Sequence, residues 1–203
     1  MGKKSYTTVD VYTRALERVE QAYKLFDTIS VGFSGGKDST AVLNITLEVA
    51  KHLNKLPLNV YFWDEEAIPY ETEHYVRRVY NLDEIDMDWF TVPIKHRNAC
   101  STTQPYWFPW AEEEKDLWVR PKPPEGISTI ENYNSTDPES RLMIPDLDAL
   151  SRPTKKYGTV GRVMGIRADE SLSRFLQVSS RAAEMREFNY IIPFQDKGAS
   201  GGK

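Results

Sequence analysis

The sequence predicts an α/β protein with a doubly wound, mainly parallel sheet of about five strands, in one domain covering residues 1–203. Short apolar, β-branched segments alternate with helical patterns, and strands that alternate with helices pair in parallel through right-handed crossovers. The length of 203 residues suits one domain with a substantial core. In addition, a glycine-rich joint, Ser34-Gly35-Gly36-Lys37-Asp38-Ser39, lies where a strand pattern turns into a helix pattern.

The first half of the chain predicts three helices and two strands. Apolar residues at helical spacing over residues 8–26 indicate an N-terminal amphipathic helix. Residues 28–33 form a short buried strand, and residues 38–53 a helix with a wide apolar stripe. Residues 58–63 ("LNVYFW") are the second strand, and residues 70–80 the next helix, started by a proline.

The second half of the chain is interrupted. Residues 89–94 ("WFTVPI") predict a third strand, and the proline-rich, aromatic interval at about 98–159 predicts an irregular insertion or lid over the carboxyl edge of the sheet. Regular patterns return as a strand at 162–167, a helix at about 169–186 and a strand at 189–194.

Composition limits the function classes. A formal charge of -4 gives no global basic field for nucleic acid, although residues 152–162 are locally positive and form either a solvated loop or part of an anion-binding rim. Cys100 is the only cysteine, which excludes an internal disulfide or a cluster built on this chain's thiolates alone. Without an apolar stretch of roughly 18 residues or a secretory signal, we expect a cytoplasmic protein with no membrane partner.

Three known loops compete for the joint. A P-loop needs a glycine five places before Gly36 and Ser or Thr after Lys37, but Val31 and Asp38 occupy those places. The G-x-S-x-G pattern of a hydrolase nucleophile elbow is present, but this motif also needs an acid and a histidine later in the chain. The three later histidines are His52 and His74, which fall in predicted helices, and His96. We therefore favour a third alternative, an anion cradle.

In such a cradle, glycines let backbone N–H groups point at a phosphate, and the following helix adds a positive dipole end. Lys37 would contribute a point charge, while Ser34 and Ser39 would donate hydroxyls. Asp38 would cap the helix or hold magnesium against phosphate oxygens.

These residues resemble a known family. "SGGKDS" at residues 34–39 is similar to the pyrophosphate-binding loop of the N-type ATP pyrophosphatases and the phosphoadenosine phosphosulfate (PAPS) reductases. "YFWDEEAIPYETEHYV" and "VMGIRADESLSRF" resemble two further reductase segments, and "VPIKHRNACSTTQPYWFPW" resembles a phage-associated, IbrA-like branch. The resemblance spans about residues 29–175 and implies an adenine nucleotide alpha-hydrolase, Rossmann-like fold.

The resemblance also implies site residues. Asp64, at the end of the second strand, would lie near the ribose or adenine. Arg167 would bind a sulfate or phosphate with its bidentate fork, and Arg174 would supply a second cation. Asp169 and Glu170 would contact a metal or ribose, or would only be favourable acids in the first turn of a helix.

Two departures from the reductase pattern leave the substrate open between ATP, with Mg²⁺, and PAPS. Ala168 stands where the reductases carry a second arginine, and no cysteine follows Cys100 to attack sulfur. The chain also ends at a glycine-rich stretch where relatives continue, as in a short variant or a truncated chain.

These patterns favour two functions over a third, nucleic-acid sulfur modification, which needs a cluster or a partner that this chain does not supply. The first is an enzyme that transfers an adenylyl or sulfur-containing group, with Lys37 and Arg167 as its catalytic cations. The second is a non-catalytic nucleotide-sensing module that acts with a protein partner or as a homo-oligomer. The aromatic group in the insertion would either stack on bases or pack the insertion onto the sheet: Tyr106, Trp107, Phe108, Trp110 and Trp118.

Overall fold

A computed structural model describes residues 8–152, 154–166, 172 and 190–193. In this part of the chain the strands are β1 (Thr28–Gly32), β2 (Leu58–Trp63), β3 (Ile85–Phe90), β4 (His96–Arg97), β5 (Tyr106–Trp107), β6 (Val160–Met164) and β7 (Tyr190–Pro193). The helices are α1 (Val11–Leu25), α2 (Lys37–His52), α3 (Tyr70–Tyr80), α4 (Ile144–Ser151) and α5 (Thr154–Tyr157). Two short 3₁₀ segments cover Glu112–Leu117 and Pro138–Ser140.

Five of these strands form one parallel sheet in the order β3-β2-β1-β6-β7, which confirms the predicted fold class. Strands β1 to β3 add in one direction, and β6 then pairs with the opposite side of β1. The strand order therefore reverses between β1 and β6, and ligands bind at the carboxyl ends of the strands at such a switch point in open α/β sheets.

Three helices cover one face of the sheet. Ala22 of α1, Val42 of α2 and Val76 of α3 are buried in one cluster with alternate residues of the strands, including Val31 and Val60. α1 begins at Asp10, whose carboxylate accepts a hydrogen bond from the backbone N–H of Thr13. Each of these helices therefore buries the apolar stripe that its sequence pattern indicates.

The insertion covers the other face. Tyr61, Trp63 and Phe90 of the sheet are packed with Ile130 and with Leu147 of α4, which is fully buried. Ile127 continues the sheet edge as a bridge to Phe90. The interval at 98–159 thus forms a second layer with its own short helices, and β5 within it pairs with β4, which lies just before it in the sequence.

The third strand differs from its prediction. It spans Ile85–Phe90, whereas the sequence predicted a strand at 89–94. Residues of β3 alternate between the face that the helices cover and the face that the insertion covers, and Asp86 and Asp88 lie on the insertion's side. This alternation of apolar and acidic residues is a weaker sequence signal than the continuous apolar run that begins at Trp89. The other predicted elements that fall on described residues lie within about three residues of their predicted bounds. The short elements β4, β5, α4 and α5 were not predicted, and the helix predicted at 169–186 lies outside the described residues except for residue 172.

No helix among the described residues is long and apolar enough to cross a membrane.

Candidate functional site

The Ser34–Ser39 loop lies at the point where the strand order reverses. It follows β1 and leads into α2, and the chain leaving β6 passes against the same turn. A Cβ on Gly165 would lie 2.8 Å from the carbonyl carbon of Asp38 and 2.9 Å from the nitrogen of Ser39. This close approach requires glycine, so the loop and the end of β6 form one edge.

Gly35 gives the loop its sharp turn. Its φ is +74°, a left-handed conformation that side chains rarely adopt, and an added Cβ would lie 2.8 Å from Cγ2 of Thr72 on α3. Gly36 instead has φ -80° and an added Cβ would meet only Ser34 Oγ, at 3.4 Å. The first glycine is therefore required by geometry and the second is not.

The two serines close the loop on itself. Ser39 Oγ donates to the carbonyl of Gly36 (3.0 Å) and accepts from the backbone N–H of Ser34 (3.2 Å). The two hydroxyl oxygens lie 3.0 Å apart, and Ser34 Oγ accepts from the backbone N–H of Gly36 at 3.4 Å. Ser39 is buried whereas Ser34 is exposed, so the structure assigns Ser39 to holding the loop and leaves Ser34 facing solvent.

Lys37 and Asp38 form the first turn of α2. Lys37 is 77% exposed and its Nζ lies 2.7 Å from Asp38 Oδ2. The expectation that Asp38 caps the helix is wrong, because Gly36 is the N-cap residue and makes no side-chain cap hydrogen bond. The positive end of a 16-residue helix therefore lies at this edge of the sheet without a side-chain acceptor from its own N-cap.

A magnesium site at Asp38 remains a prediction. In the described ranges no group of three His, Cys, Asp or Glu side chains is arranged to hold a metal ion. A cation beside Asp38 would have to take its other ligands from a bound phosphate or from water, as Mg²⁺ commonly does.

Asp64 lies at the end of β2 and is fully buried. Its Oδ1 accepts from the backbone N–H of Glu66 at 2.9 Å and from the guanidinium of Arg120, and its Oδ2 accepts from Trp89 Nε1 at 2.8 Å. Both carboxylate oxygens already have donors from the protein. The predicted contact of Asp64 with a ribose would therefore require this arrangement to open.

Glu66 holds the insertion in the same place. Its carboxylate accepts from the backbone N–H of Trp110 (2.8 Å) and of Val119 (3.1 Å), and its carbonyl accepts from Arg120 Nε (2.9 Å). Trp110 Nε1 donates to the carbonyl of Asp64 at 2.8 Å. We call Asp64, Glu66, Trp110 and Arg120 the latch, because they fasten the insertion to the end of β2.

The sequence interpretation missed Glu66 and Arg120. Three consecutive acids after a buried strand, "WDEE", were a signal for partners elsewhere in the chain, but nothing in the sequence identifies an arginine 56 residues from Asp64 as that partner. Such a pairing follows only from the path of the insertion.

The aromatic group of the insertion is packed with cations. Lys95 lies over Tyr106, Arg141 over Phe108 and Arg120 over Trp110, at 4.6, 4.9 and 4.9 Å from the ring centroids. Two lysines lie over Trp118, at 4.9 and 5.7 Å. These contacts support the packing interpretation, because they occupy ring faces that a base would otherwise stack on.

Several predicted residues are not brought to the loop by the described structure. Arg167, Asp169, Glu170 and Arg174 lie outside the described residues, so their roles remain predictions. Cys100 is exposed in the connection between β4 and β5, where its backbone N–H donates to Asn98 Oδ1 at 3.0 Å.

A cavity of about 420 Å³ lies at the opposite, amino-terminal edge of the sheet. Its walls come from the end of α1 and the starts of β1 and β2: Tyr23, Lys24, Leu25, Phe26, Asp27, Thr28, Ile29, Lys55 and Asn59. It is remote from the loop, and we place the candidate site at the carboxyl edge because the topology and the loop geometry agree there.

Comparisons with known proteins assign no family to the chain. No family model matches it. The uncharacterized protein YbdN of Escherichia coli strain K12 is 29% identical over 182 residues, which cover 85% of this chain and 42% of YbdN. A crystal structure of Candida glabrata FMN adenylyltransferase matches 83% of this chain and 46% of its own, with 13% identity and a TM-score of 0.40. The chain thus spans less than half the length of either protein.

Proposed function

We propose that the Ser34–Ser39 loop binds the phosphate groups of an adenine nucleotide, ATP or PAPS, for transfer of an adenylyl or sulfur-containing group. The observation that carries the proposal is the loop's position. It lies at the reversal of strand order and ends in the N-terminus of α2, where Gly36 supplies no side-chain cap. Backbone N–H groups and the helix dipole favour an anion at such a place.

Lys37 would supply the mobile positive charge. Its side chain is 77% exposed and its single described ion pair is with the neighbouring Asp38. An exposed pair between adjacent residues contributes little to stability. The ammonium can therefore turn to a phosphate oxygen at small cost, and Asp38 can then face Mg²⁺.

The proposed chemistry follows from where charge develops. With ATP, a lone pair of the acceptor attacks the α-phosphorus, the bond from that phosphorus to the bridging oxygen breaks, and pyrophosphate leaves with the bonding electrons. With PAPS, a nucleophile attacks sulfur, and adenosine 3',5'-bisphosphate leaves with the electrons of the S–O bond. In either case the leaving group gains negative charge, which the loop amides and Lys37 would stabilise.

The second candidate is a nucleotide-sensing module without turnover. The observation that favours it is the latch, since Asp64 and Glu66 are engaged with Arg120 and with backbone donors. Carboxylates fixed in this way hold the insertion in place and are not poised as general bases.

A labelled-nucleotide assay tests the proposal and separates the two candidates. When a suitable acceptor is added, we expect the wild type to release pyrophosphate from ATP and to place the labelled adenylyl group on the acceptor; when a thiol is added, we expect release of adenosine 3',5'-bisphosphate from PAPS. Lys37→Ala should lower the rate at least tenfold, whereas Lys51→Ala, at the other end of α2, should not change it. Binding without release across an acceptor panel would support the sensing module, and absence of binding would contradict both candidates.

A further inference from the structure

A second group of polar residues lies inside the protein, on the sheet face that the insertion covers. It consists of Ser30 on β1, Tyr61 on β2, Arg162 on β6 and Arg152 after α4, and we call it the arginine cluster. Each of these residues is at most 4% exposed. Two arginines this deeply buried are unusual, since charged groups are buried at high cost unless they are paired and hydrogen-bonded.

The pairing of the two arginines is incomplete. Arg152 Nη2 donates to Asp88 Oδ2 at 2.6 Å, and Arg162 Nη1 lies 2.5 Å from Asp148 Oδ2. Arg162 Nη2 also donates to the carbonyl of Asp148. Arg152 Nη2 also lies 3.5 Å from the carbonyl oxygen of Val60, so the polar contacts of Arg152 use Nη2 alone and those of Arg162 use its two Nη groups.

Other polar atoms of the cluster have no hydrogen-bond partner. They are Nε and Nη1 of Arg152, Nε of Arg162, the hydroxyl of Tyr61 and Oγ of Ser30. Buried polar groups are nearly always satisfied, so several unpartnered atoms in one place indicate a missing guest. The guanidinium nitrogens only donate, so the guest must be an acceptor.

The unpartnered groups border one small region. The guanidinium carbons of Arg152 and Arg162 lie 5.2 and 5.7 Å from the ring centroid of Tyr61. The hydroxyl of Tyr61 lies over Gly32, where an added Cβ would be 2.8 Å away. Ser30 is the register partner of Arg162 on the neighbouring strand. The donors therefore approach from three strands and from the end of α4.

We propose that the arginine cluster binds one small oxyanion, such as sulfate or phosphate, at a site separate from the Ser34–Ser39 loop. An oxyanion accepts hydrogen bonds in several directions, so one ion can serve the three unpartnered guanidinium nitrogens named above. A single water accepts at most two hydrogen bonds. Asp88 and Asp148 compensate the charges of the two arginines. Because the Asp88 side chain is one-third exposed and that of Arg152 is buried, solvent screens the negative charge of Asp88 more than the positive charge of Arg152.

The site is tested with sulfate and phosphate as probes, at constant ionic strength against chloride. Equilibrium dialysis with ³⁵S-sulfate should show a bound sulfate that Lys37→Ala retains and Arg152→Lys loses, with at least a tenfold weaker affinity. Tyr61→Phe removes one unpartnered donor without a change of charge and should weaken binding severalfold. Arg141→Lys is the matched control, because the buried Arg141 makes a two-oxygen contact with Glu113 and none of its nitrogens is among the buried unpartnered atoms.

Thermal unfolding provides an independent readout of the same site. The midpoint should rise with sulfate in the wild type and in Lys37→Ala, but not in Arg152→Lys. The proposal is overturned if chloride stabilises as much as sulfate, if Lys37→Ala alone removes the bound anion, or if a crystal structure grown in sulfate contains only water in the cluster. Each of these results leaves the nucleotide proposal untouched, because the two sites use different residues.

Discussion

Replacing Arg120 with methionine tests whether the latch holds the insertion. Methionine keeps much of the side-chain volume but leaves the carboxylate of Asp64, which is fully buried, without its cation. Removing one partner of a buried ion pair costs about 3–5 kcal/mol. Since Asp64 would keep its donors from Glu66 and Trp89, we expect the pair itself to account for about 3 kcal/mol.

Two smaller losses add to this value. Arg120 also donates to the carbonyl of Glu66, and its guanidinium lies 4.9 Å from the ring centroid of Trp110. Each contact contributes about 1 kcal/mol, partly offset by burial of the methionine. We therefore expect Arg120→Met to lower the free energy of unfolding by about 4 kcal/mol.

Equilibrium unfolding in urea, followed by tryptophan fluorescence, measures this change, because Trp89 and Trp110 are both fully buried. Arg14→Met is the control: the Arg14–Glu17 pair is 43% and 54% exposed, so its loss should cost less than about 0.5 kcal/mol. In the double variant Asp64→Asn with Arg120→Met, the total loss should be smaller than the sum of the single losses. A loss below about 1 kcal/mol for Arg120→Met, or strict additivity in the double variant, would refute the latch.

Three further predictions follow from local geometry. Gly35→Ala should destabilise the protein by about 1–2 kcal/mol and weaken nucleotide binding, because φ is +74° and the new Cβ would clash with α3. Gly36→Ala introduces no such clash and should cost less than Gly35→Ala in both assays, with a small loss because alanine is a poorer N-cap than glycine. Leu147→Ala should cost about 2–5 kcal/mol in urea unfolding, because the side chain is fully buried between α4 and the sheet, and Leu117→Ala, 77% exposed, should cost almost nothing; equal effects would contradict the second layer. Burial raises the pKa of Tyr23 to about 12 from 10.0, so the stability that its neutral hydroxyl contributes is complete below pH 10 and is lost as the pH rises toward 12. In Tyr23→Phe the unfolding free energy should therefore fall less between pH 10 and pH 12 than it does in the wild type; an equal fall in both proteins would contradict this.

The parallel sheet was predictable from the sequence because its signals are local. β2 and α3 have the predicted bounds, since a compact apolar run and a proline before a helix are each unambiguous. β3 was misplaced because one of its faces carries aspartates. Asp88 lies on that face and accepts a hydrogen bond from Arg152, a residue 64 positions later. This contact forms only in the folded protein, so the local sequence does not reveal why an aspartate occurs in the strand.

The candidate site was predictable to a similar extent. The loop and its helix follow from six consecutive residues, and the left-handed Gly35 follows from the need for a sharp turn. The environment of Asp64 did not follow, because the donors that surround it come from β3 and from the insertion. Residues that satisfy each other across 25 and 56 positions leave no periodic pattern in the sequence.

Binding of an adenine nucleotide's phosphates by the Ser34–Ser39 loop is tested by titration calorimetry of the wild type with ATP and Mg²⁺, and with PAPS. Each titration is repeated on Lys37→Ala and Lys51→Ala. We expect one of the two nucleotides to bind at one site per chain, with affinity weakened at least tenfold in Lys37→Ala and unchanged in Lys51→Ala. Binding that is equally strong in Lys37→Ala, or absent from the folded wild type, would contradict this expectation.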